Sequence, residues 1–189
     1  QEYPFDVFAM PKYKDTQKKY LTQEQIDELE AISNLPKEIL FARDWFVLGC
    51  YSGLRFGDME AFNKKDHIKS NRLTLYTSKT GELISIPLTE KLLSLFERVN
   101  YKPIPYTNKH YNELLKQIDI GVRLSAHMSR HSAAVRWASL GVPQEIVAKL
   151  LAHTSLKTTA IYYKITGYRW DEAFLEAENK ANKTPSGRG

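Results

Sequence analysis

Apolar residues recur at helical spacing along most of this chain, with one alternating stretch near its middle. Thr22 to Ile32 opens with Thr-x-x-Gln, a pair in which each side chain can cap the other's backbone, and then repeats Ile26, Leu29 and Ile32. Asn34-Leu-Pro36 ends that helix. Lys37 to Tyr51 predicts a second and more apolar helix, offering Ile39, Leu40, Phe46, Val47 and Cys50 to a core. It runs into Ser52-Gly53-Leu54-Arg55, where Gly53 permits a sharp turn that aims Arg55 away from the helix before it. A short helix through Asp58 and Ala61 follows.

From Asp66 to Leu88 the period changes from helix to strand. Arg72 to Thr77 and Glu82 to Pro87 both alternate, and Ser78-Lys79-Thr80-Gly81 between them reads as a hairpin with Gly81 at the position needing positive φ. The alternation puts Ile84 and Ile86 on one face, opposite Leu83 and Ser85, and leaves Lys79 at the hairpin tip. Helical spacing resumes at Thr89 to Val99, capped by Thr89 and carrying Leu92, Leu93, Leu95 and Phe96. A proline-bearing loop, Asn100 to Tyr106, leads to an amphipathic helix over Asn108 to Ile118. Leu124 to Ile165 predicts three or four short helices, and Trp170 to Ala181 a last one with Phe174 and Leu175. The expected fold is mainly α with some β (α+β): a helical domain holding one small three-stranded antiparallel sheet.

Composition narrows the class. With 189 residues, 42% hydrophobic and 26% charged, the chain can bury a substantial core. Its longest apolar run, Trp45 to Tyr51, is too short to span a bilayer, and no charged-then-apolar leader opens the sequence, so no membrane partner is expected. One cysteine, Cys50, excludes an intramolecular disulfide framework and a cysteine-rich zinc site, and suggests a reducing, cytoplasmic setting. A net charge of +5 tilts the partner toward a polyanion such as nucleic acid.

The candidate chemistry is concentrated in a few places, each with an ordinary alternative. Arg55 precedes Asp58 by three residues and could simply pair with it, while Lys79 could be a solvated surface lysine. His127, Arg130 and His131 share one helical face. The two histidines have the spacing of a metalloprotease motif, but the glutamate after the first is missing and no third ligand is evident, so no metal is expected. His131, followed by Ala133, Ala134 and Val135, reads as a core or supporting histidine. His153 and the doublet Tyr162-Tyr163 close the run, and by packing alone either tyrosine could be a helix-end aromatic.

In chain order these features are Ser-Gly-Leu-Arg55-x-x-Asp58, Lys79-Thr-Gly, His127-x-x-Arg130-His131, Leu-Leu-Ala-His153 and Thr158-Thr-x-Ile-Tyr162. That series resembles the signature of the tyrosine recombinases, the phage integrase family, over roughly Leu21 to Ile165, the extent of that family's catalytic domain. Two departures lie beside the motifs: Ala152 stands where glycine is common before the histidine, and Ser132-Ala133 where Thr-Phe is common.

The resemblance implies site-specific DNA recombination. Tyr162, favoured over Tyr163 by its nine-residue step from His153 and by the Ile-Tyr pair, would attack the scissile phosphate and form a 3′-phosphotyrosine. Arg55 and Arg130 would clamp the non-bridging oxygens, and His153 would donate a further hydrogen bond. His127 would act as general base or orient the tyrosine, and Lys79 would protonate the leaving 5′-oxygen. Asp58 and His131 would support these residues from behind. No cofactor, metal or ATP is implied. The implied partners are double-stranded DNA, three further copies in a homotetramer on recombination sites, and accessory DNA-bending proteins, with the isolated fragment a monomer. The implied setting is a prokaryotic cytoplasm, on the nucleoid, and the implied role is integration or excision of a mobile element.

Because the family usually carries an N-terminal DNA-binding domain, residues 1–20 are expected to be an arm from that domain, 21–168 the catalytic domain and 169–189 a C-terminal helix and tail. That helix could engage a partner protomer or pack on its own domain. Two other functions compete. A helix-turn-helix regulator could be drawn over Val142 to Tyr163, but it leaves Arg55, Lys79, His127 and Arg130 without a role. A type IB topoisomerase uses a similar residue set, against which the compact spacing counts.

Overall fold

The structure, a computed structural model, describes residues 19–166; most of the predicted N-terminal arm and the whole predicted Trp170 to Ala181 helix lie outside the described residues. Nine helices and three strands are described, in the order α1 (Gln23–Ala31), α2 (Lys37–Ser52), α3 (Phe56–Glu60), α4 (Lys64–His67), β1 (Ile68–Lys69), β2 (Arg72–Tyr76), β3 (Leu83–Pro87), α5 (Glu90–Arg98), α6 (Asn108–Leu115), α7 (Ala126–Ser139), α8 (Gln144–Leu150) and α9 (Leu156–Thr166).

The first helix begins as its sequence dictates. Thr22 accepts from the N–H of Gln25, and the Gln25 side chain accepts from the N–H of Thr22 at 3.0 Å, so two orphan donors are satisfied reciprocally. α2 is the axis of the domain. Every residue from Ala42 to Ser52 is buried, and apart from the Arg43–Asp44 ion pair, made at 2.7 Å, that stretch is largely apolar. α1, α5, α6 and α7 pack around it. Gly49 lets α7 come close, since a Cβ there would sit 2.6 Å from the Ser129 hydroxyl. Trp45, Phe46, Phe96 and Tyr111 fill the core beside it. Truncating a side chain such as Trp45 to alanine would cost about 3–5 kcal/mol.

The three strands form one antiparallel sheet in the order β1-β2-β3, with Leu73 paired to Ile86 and Leu75 to Ile84. Those four residues form the buried face, as the alternation predicts, while Tyr76 and Leu83 face outward. The strand pattern begins later than its texture suggests. Asp66 and His67 belong to the short helix α4, because Asn63 caps the N–H of Lys65 and the His67 ring accepts from the N–H of Asn63. α6 also stops at Leu115, short of Ile118, with a turn closing its end.

A second apolar cluster lies at the far end of α7, where Ala133, Ala134 and Trp137 meet Val147 and Leu151 of the α8 region and Tyr162 of α9. Of the candidate residues, Tyr162 belongs to this cluster, and Arg130 and His131 lie on the same helix α7. No helix among the described residues is long and apolar enough to cross a membrane.

Candidate active site

Two turns and two helices bring Arg55, His127, Arg130, His131, His153 and Tyr162 together. α2 ends at Gly53, whose φ of +66° is left-handed, and this reverses the chain so that Arg55 starts α3. The same turn exposes the Gly53 carbonyl to Arg130 of α7, which donates to it through Nη1 at 2.7 Å. Arg130 also donates through Nη2 to the Leu151 carbonyl, at the end of α8. Arg55 Nη2 reaches the same region, 3.4 Å from the carbonyls of Leu151 and Ala152. Both guanidiniums are thus gathered by one short piece of backbone.

That backbone has a particular shape. Ala152 has φ +45°, in the left-handed region that an alanine adopts only at a cost. The conformation gives a physical reason why glycine would suit this position. It also completes the turn in which Leu151 and Ala152 present carbonyls to the arginines.

The arginine pair is electrostatically tense. Burial chiefly, and the neighbouring Arg55 charge next, pull the Arg130 guanidinium down to about 9, with Asp58 and Tyr162 acting in the opposite sense. It remains a cation at neutral pH. Arg55 Nη1 is buried and donates to no protein group among the described residues, a situation that costs about 1–3 kcal/mol until an acceptor meets it.

Asp58 does not pair with the Arg55 side chain. Its Oδ2 accepts the main-chain N–H of Arg55 at 3.2 Å, and its Oδ1 accepts both the N–H and the hydroxyl of Ser78. One buried carboxylate therefore holds the arginine turn and the β2–β3 hairpin together. Lys79 follows Ser78 directly and is exposed at the hairpin tip.

The tyrosine doublet divides cleanly in space. Tyr162, 2% exposed, has its hydroxyl 2.7 Å from Nδ1 of His131, and its ring lies 6.4 Å from that of His153 at an interplanar angle of 18°. Burial pushes its phenol up to about 12, partly offset by the Arg130 charge. Tyr163 turns the other way and donates its hydroxyl to the Val142 carbonyl. His153 is oriented through Nδ1 by the hydroxyl of Thr159, 2.8 Å away and fully buried.

Sequence reasoning differs from this arrangement at two points. It assigns the contact with the tyrosine to His127 and a supporting place to His131, yet the imidazole bonded to the Tyr162 hydroxyl is that of His131. His127 lies one helical turn earlier with its ring edge-on to that of His131, centroids 4.4 Å apart. It also overlooks Ser78 and Thr159 as supports. Thr159 could have been suspected from its place three residues before Tyr162 on the same helical face. Ser78 carries no signal in the sequence, because its partner is twenty residues away. Among the described residues, no group of three His, Cys, Asp or Glu side chains is placed to hold a metal ion.

Comparison with known proteins gives the same outline. The chain is 28% identical over 186 residues to a protein named tyrosine recombinase XerA from Pyrococcus furiosus, covering 88% of this chain and 64% of the relative's length. The fold is similar to that of the Tn1549 transposon integrase (residues 82–397) solved in complex with circular intermediate DNA, with TM-score 0.63, 20% identity, and coverage of 88% of this chain and 68% of that one. It is also similar to the catalytic domain of bacteriophage HP1 integrase, with TM-score 0.60, 16% identity, and coverage of 83% and 94% respectively. A family model described as the phage integrase family matches residues 19–167, all but one residue of which the structure describes, and the chain belongs to that family.

Proposed function

We propose that this chain is the strand-cleaving and rejoining part of a site-specific DNA recombinase, with Tyr162 as its nucleophile. The observation that carries the reading is the placement of Tyr162, whose hydroxyl meets His131, whose ring lies alongside that of His153, and which feels the charge of Arg130, while Tyr163 donates to Val142. In the proposed reaction the Tyr162 oxygen bonds to the scissile phosphorus, the bond from phosphorus to the 5′-oxygen breaks, and a 3′-phosphotyrosine and a 5′-hydroxyl result. Rejoining reverses these steps with a 5′-hydroxyl from another strand. The phosphotyrosine conserves the phosphodiester bond, so rejoining requires no ATP.

The five-coordinate phosphate carries added negative charge. Arg55 and Arg130 are suited to meet it, since a guanidinium stays charged and offers paired donors. Their present acceptors are main-chain carbonyls, 3.4 Å away in the case of Arg55 Nη2, and Arg55 Nη1 has no acceptor among the described residues. His153, held at Nδ1 by Thr159, is suited to donate a further hydrogen bond to a phosphate oxygen. His127 takes a supporting place beside His131, and Asp58 fixes Arg55 relative to the hairpin. Lys79 supplies the proton to the 5′-oxygen, from a hairpin tip free to enter a groove of the duplex.

The proposed partner is double-stranded DNA, consistent with the net charge of +5 and with binding that weakens steeply as salt rises. One tyrosine opens one strand. Exchange between two duplexes through a Holliday junction opens four strands, and so requires four copies acting together. The proposed role is integration or excision of a mobile element. Attachment sites or inverted repeats beside the coding gene would support it, and their absence from a complete flanking sequence would overturn it.

The direct test is covalent capture on nicked duplexes drawn from a randomised pool, read as protein-linked DNA on a denaturing gel. Tyr162→Phe abolishes the adduct and Tyr163→Phe retains it. An adduct that survives Tyr162→Phe would overturn the assignment, and one that survives both substitutions would overturn the reaction.

A further inference from the structure

We infer that His131, rather than the motif histidine His127, receives the proton of the Tyr162 hydroxyl as that oxygen attacks phosphorus. The inference rests on the proposed strand-cleaving reaction and gives a proton-accepting role to a residue that the resemblance placed only in support.

Geometry carries the argument. The Tyr162 hydroxyl and His131 Nδ1 are 2.7 Å apart, the distance of a short, well-made hydrogen bond. The residues come from different elements, α7 and α9, so the contact is set by packing and not by neighbourhood in the chain. A phenol held well above neutral pH is a donor, and the imidazole nitrogen facing it then acts as acceptor, which places the His131 ring proton on Nε2. Free phenolate is disfavoured here by burial, so the proton leaves as the phosphorus–oxygen bond forms. It passes from Tyr162 Oη to His131 Nδ1, while Lys79 Nζ gives one to the departing 5′-oxygen. When a 5′-hydroxyl attacks the phosphotyrosine, both transfers run backward, and the enzyme returns to its starting protonation.

The surroundings suit a base. A recess of about 380 Å³ opens beside His131, lined also by His127, Lys19, Lys116 and Arg123. No carboxylate lines it among the described residues. The Tyr162 phenol from α9 and the His127 ring from α7 face His131, and Lys19, Lys116 and Arg123 line the recess beside it.

Asparagine at this position provides the test, because its amide oxygen reproduces the acceptor at Nδ1 but does not titrate. The assay is single-turnover adduct formation by the 189-residue chain on a nicked duplex obtained by covalent capture, followed across pH. The unsubstituted chain should show an acid limb, cleaving faster as pH rises and the imidazole loses its proton. His131→Asn should cleave about 100-fold more slowly, within the range of general-base effects, and should lose that acid limb. His127→Asn should keep the limb. A His131→Asn chain that cleaves at the original rate with the same profile would overturn the inference, as would loss of the limb in His127→Asn alone. Either result leaves the nucleophile assignment standing, because that depends on Tyr162→Phe. If the asparagine variant does not fold, His131→Ala assayed with added imidazole decides the matter: restored cleavage supports a proton acceptor, and none overturns it.

Discussion

Ser78 donates twice to one oxygen of Asp58, through its main-chain N–H at 2.9 Å and its hydroxyl at 3.0 Å, while the other oxygen takes the N–H of Arg55. The hairpin that carries Lys79 and the turn that carries Arg55 are therefore referenced to a single carboxylate, itself 1% exposed. Asp58→Ala should lower stability by about 1–3 kcal/mol, the cost of buried donors left without a partner. It should also slow cleavage at least about 10-fold, equivalent to about 1.4 kcal/mol in the barrier. A substrate with sulfur in place of the bridging 5′-oxygen needs no proton on departure. Part of the loss should be recovered on it, and no recovery would mean that Asp58 acts on Arg55 alone.

Thr159 holds His153, the proposed donor to the phosphate. Valine at this position keeps the shape of the side chain and removes the hydroxyl that holds Nδ1 at 2.8 Å. Thr159→Val should cleave about 10-fold more slowly, the worth of one orienting hydrogen bond. The ¹⁵N shifts of the His153 ring should move as well. Unchanged shifts would show that the hydroxyl does not set the tautomer.

Gly53 combines two constraints. Its φ of +66° disfavours a side chain, and a Cβ would lie 2.9 Å from both Leu151 and Trp137. Gly53→Ala should cost about 2–4 kcal/mol from backbone and overpacking strain together. That corresponds to a fall in Tm of about 5–10 °C for a domain of this size. Because the Gly53 carbonyl accepts from Arg130, cleavage should fall further than the loss of folded protein accounts for.

Glu30 ties α1 to α5 through Lys91, at 2.6 Å, and Arg98. Burial pushes its carboxyl up, but the hydrogen bonds and charges of Lys91 and Arg98 outweigh it and hold the group below the ordinary glutamate value of 4.5. A carboxyl depressed on folding stabilises the protein above its unfolded value and loses that contribution as pH falls through its folded one. Glu30→Gln should therefore melt earlier than the parent at pH 7, and the two melting curves should converge as the medium is acidified below pH 4.5. A constant difference across that range would show that Glu30 contributes through packing alone.

Much of the architecture was legible before the structure. The capping box at Thr22, the apolar run of α2 and the alternation that buries Ile84 and Ile86 are local signals, each carried by residues close together in the chain. The short helix α4 was not legible, because it depends on the Asn63 cap and His67 ring within a stretch of strand texture. The candidate residues were legible as an ordered series, and their type and order suffice for the family.

Which imidazole meets the phenol was a different kind of question. His127 and His131 share a helical face, and nothing local distinguishes them as partners for a side chain thirty-one residues away. The same holds for Tyr162 and Tyr163. Adjacent residues on a helix point about 100° apart, so packing α9 on α7 and α8 sends one hydroxyl to His131 and the other to Val142. Periodicity, caps and motif order depend on neighbours in sequence, and the chain alone specified them: a mainly helical domain with one hairpin and the ordered residue series of the phage integrase family. The pairing of His131 with Tyr162, the Asp58–Ser78 link and the carbonyls that gather two arginines depend on the distances between packed elements, and only the folded chain fixes those.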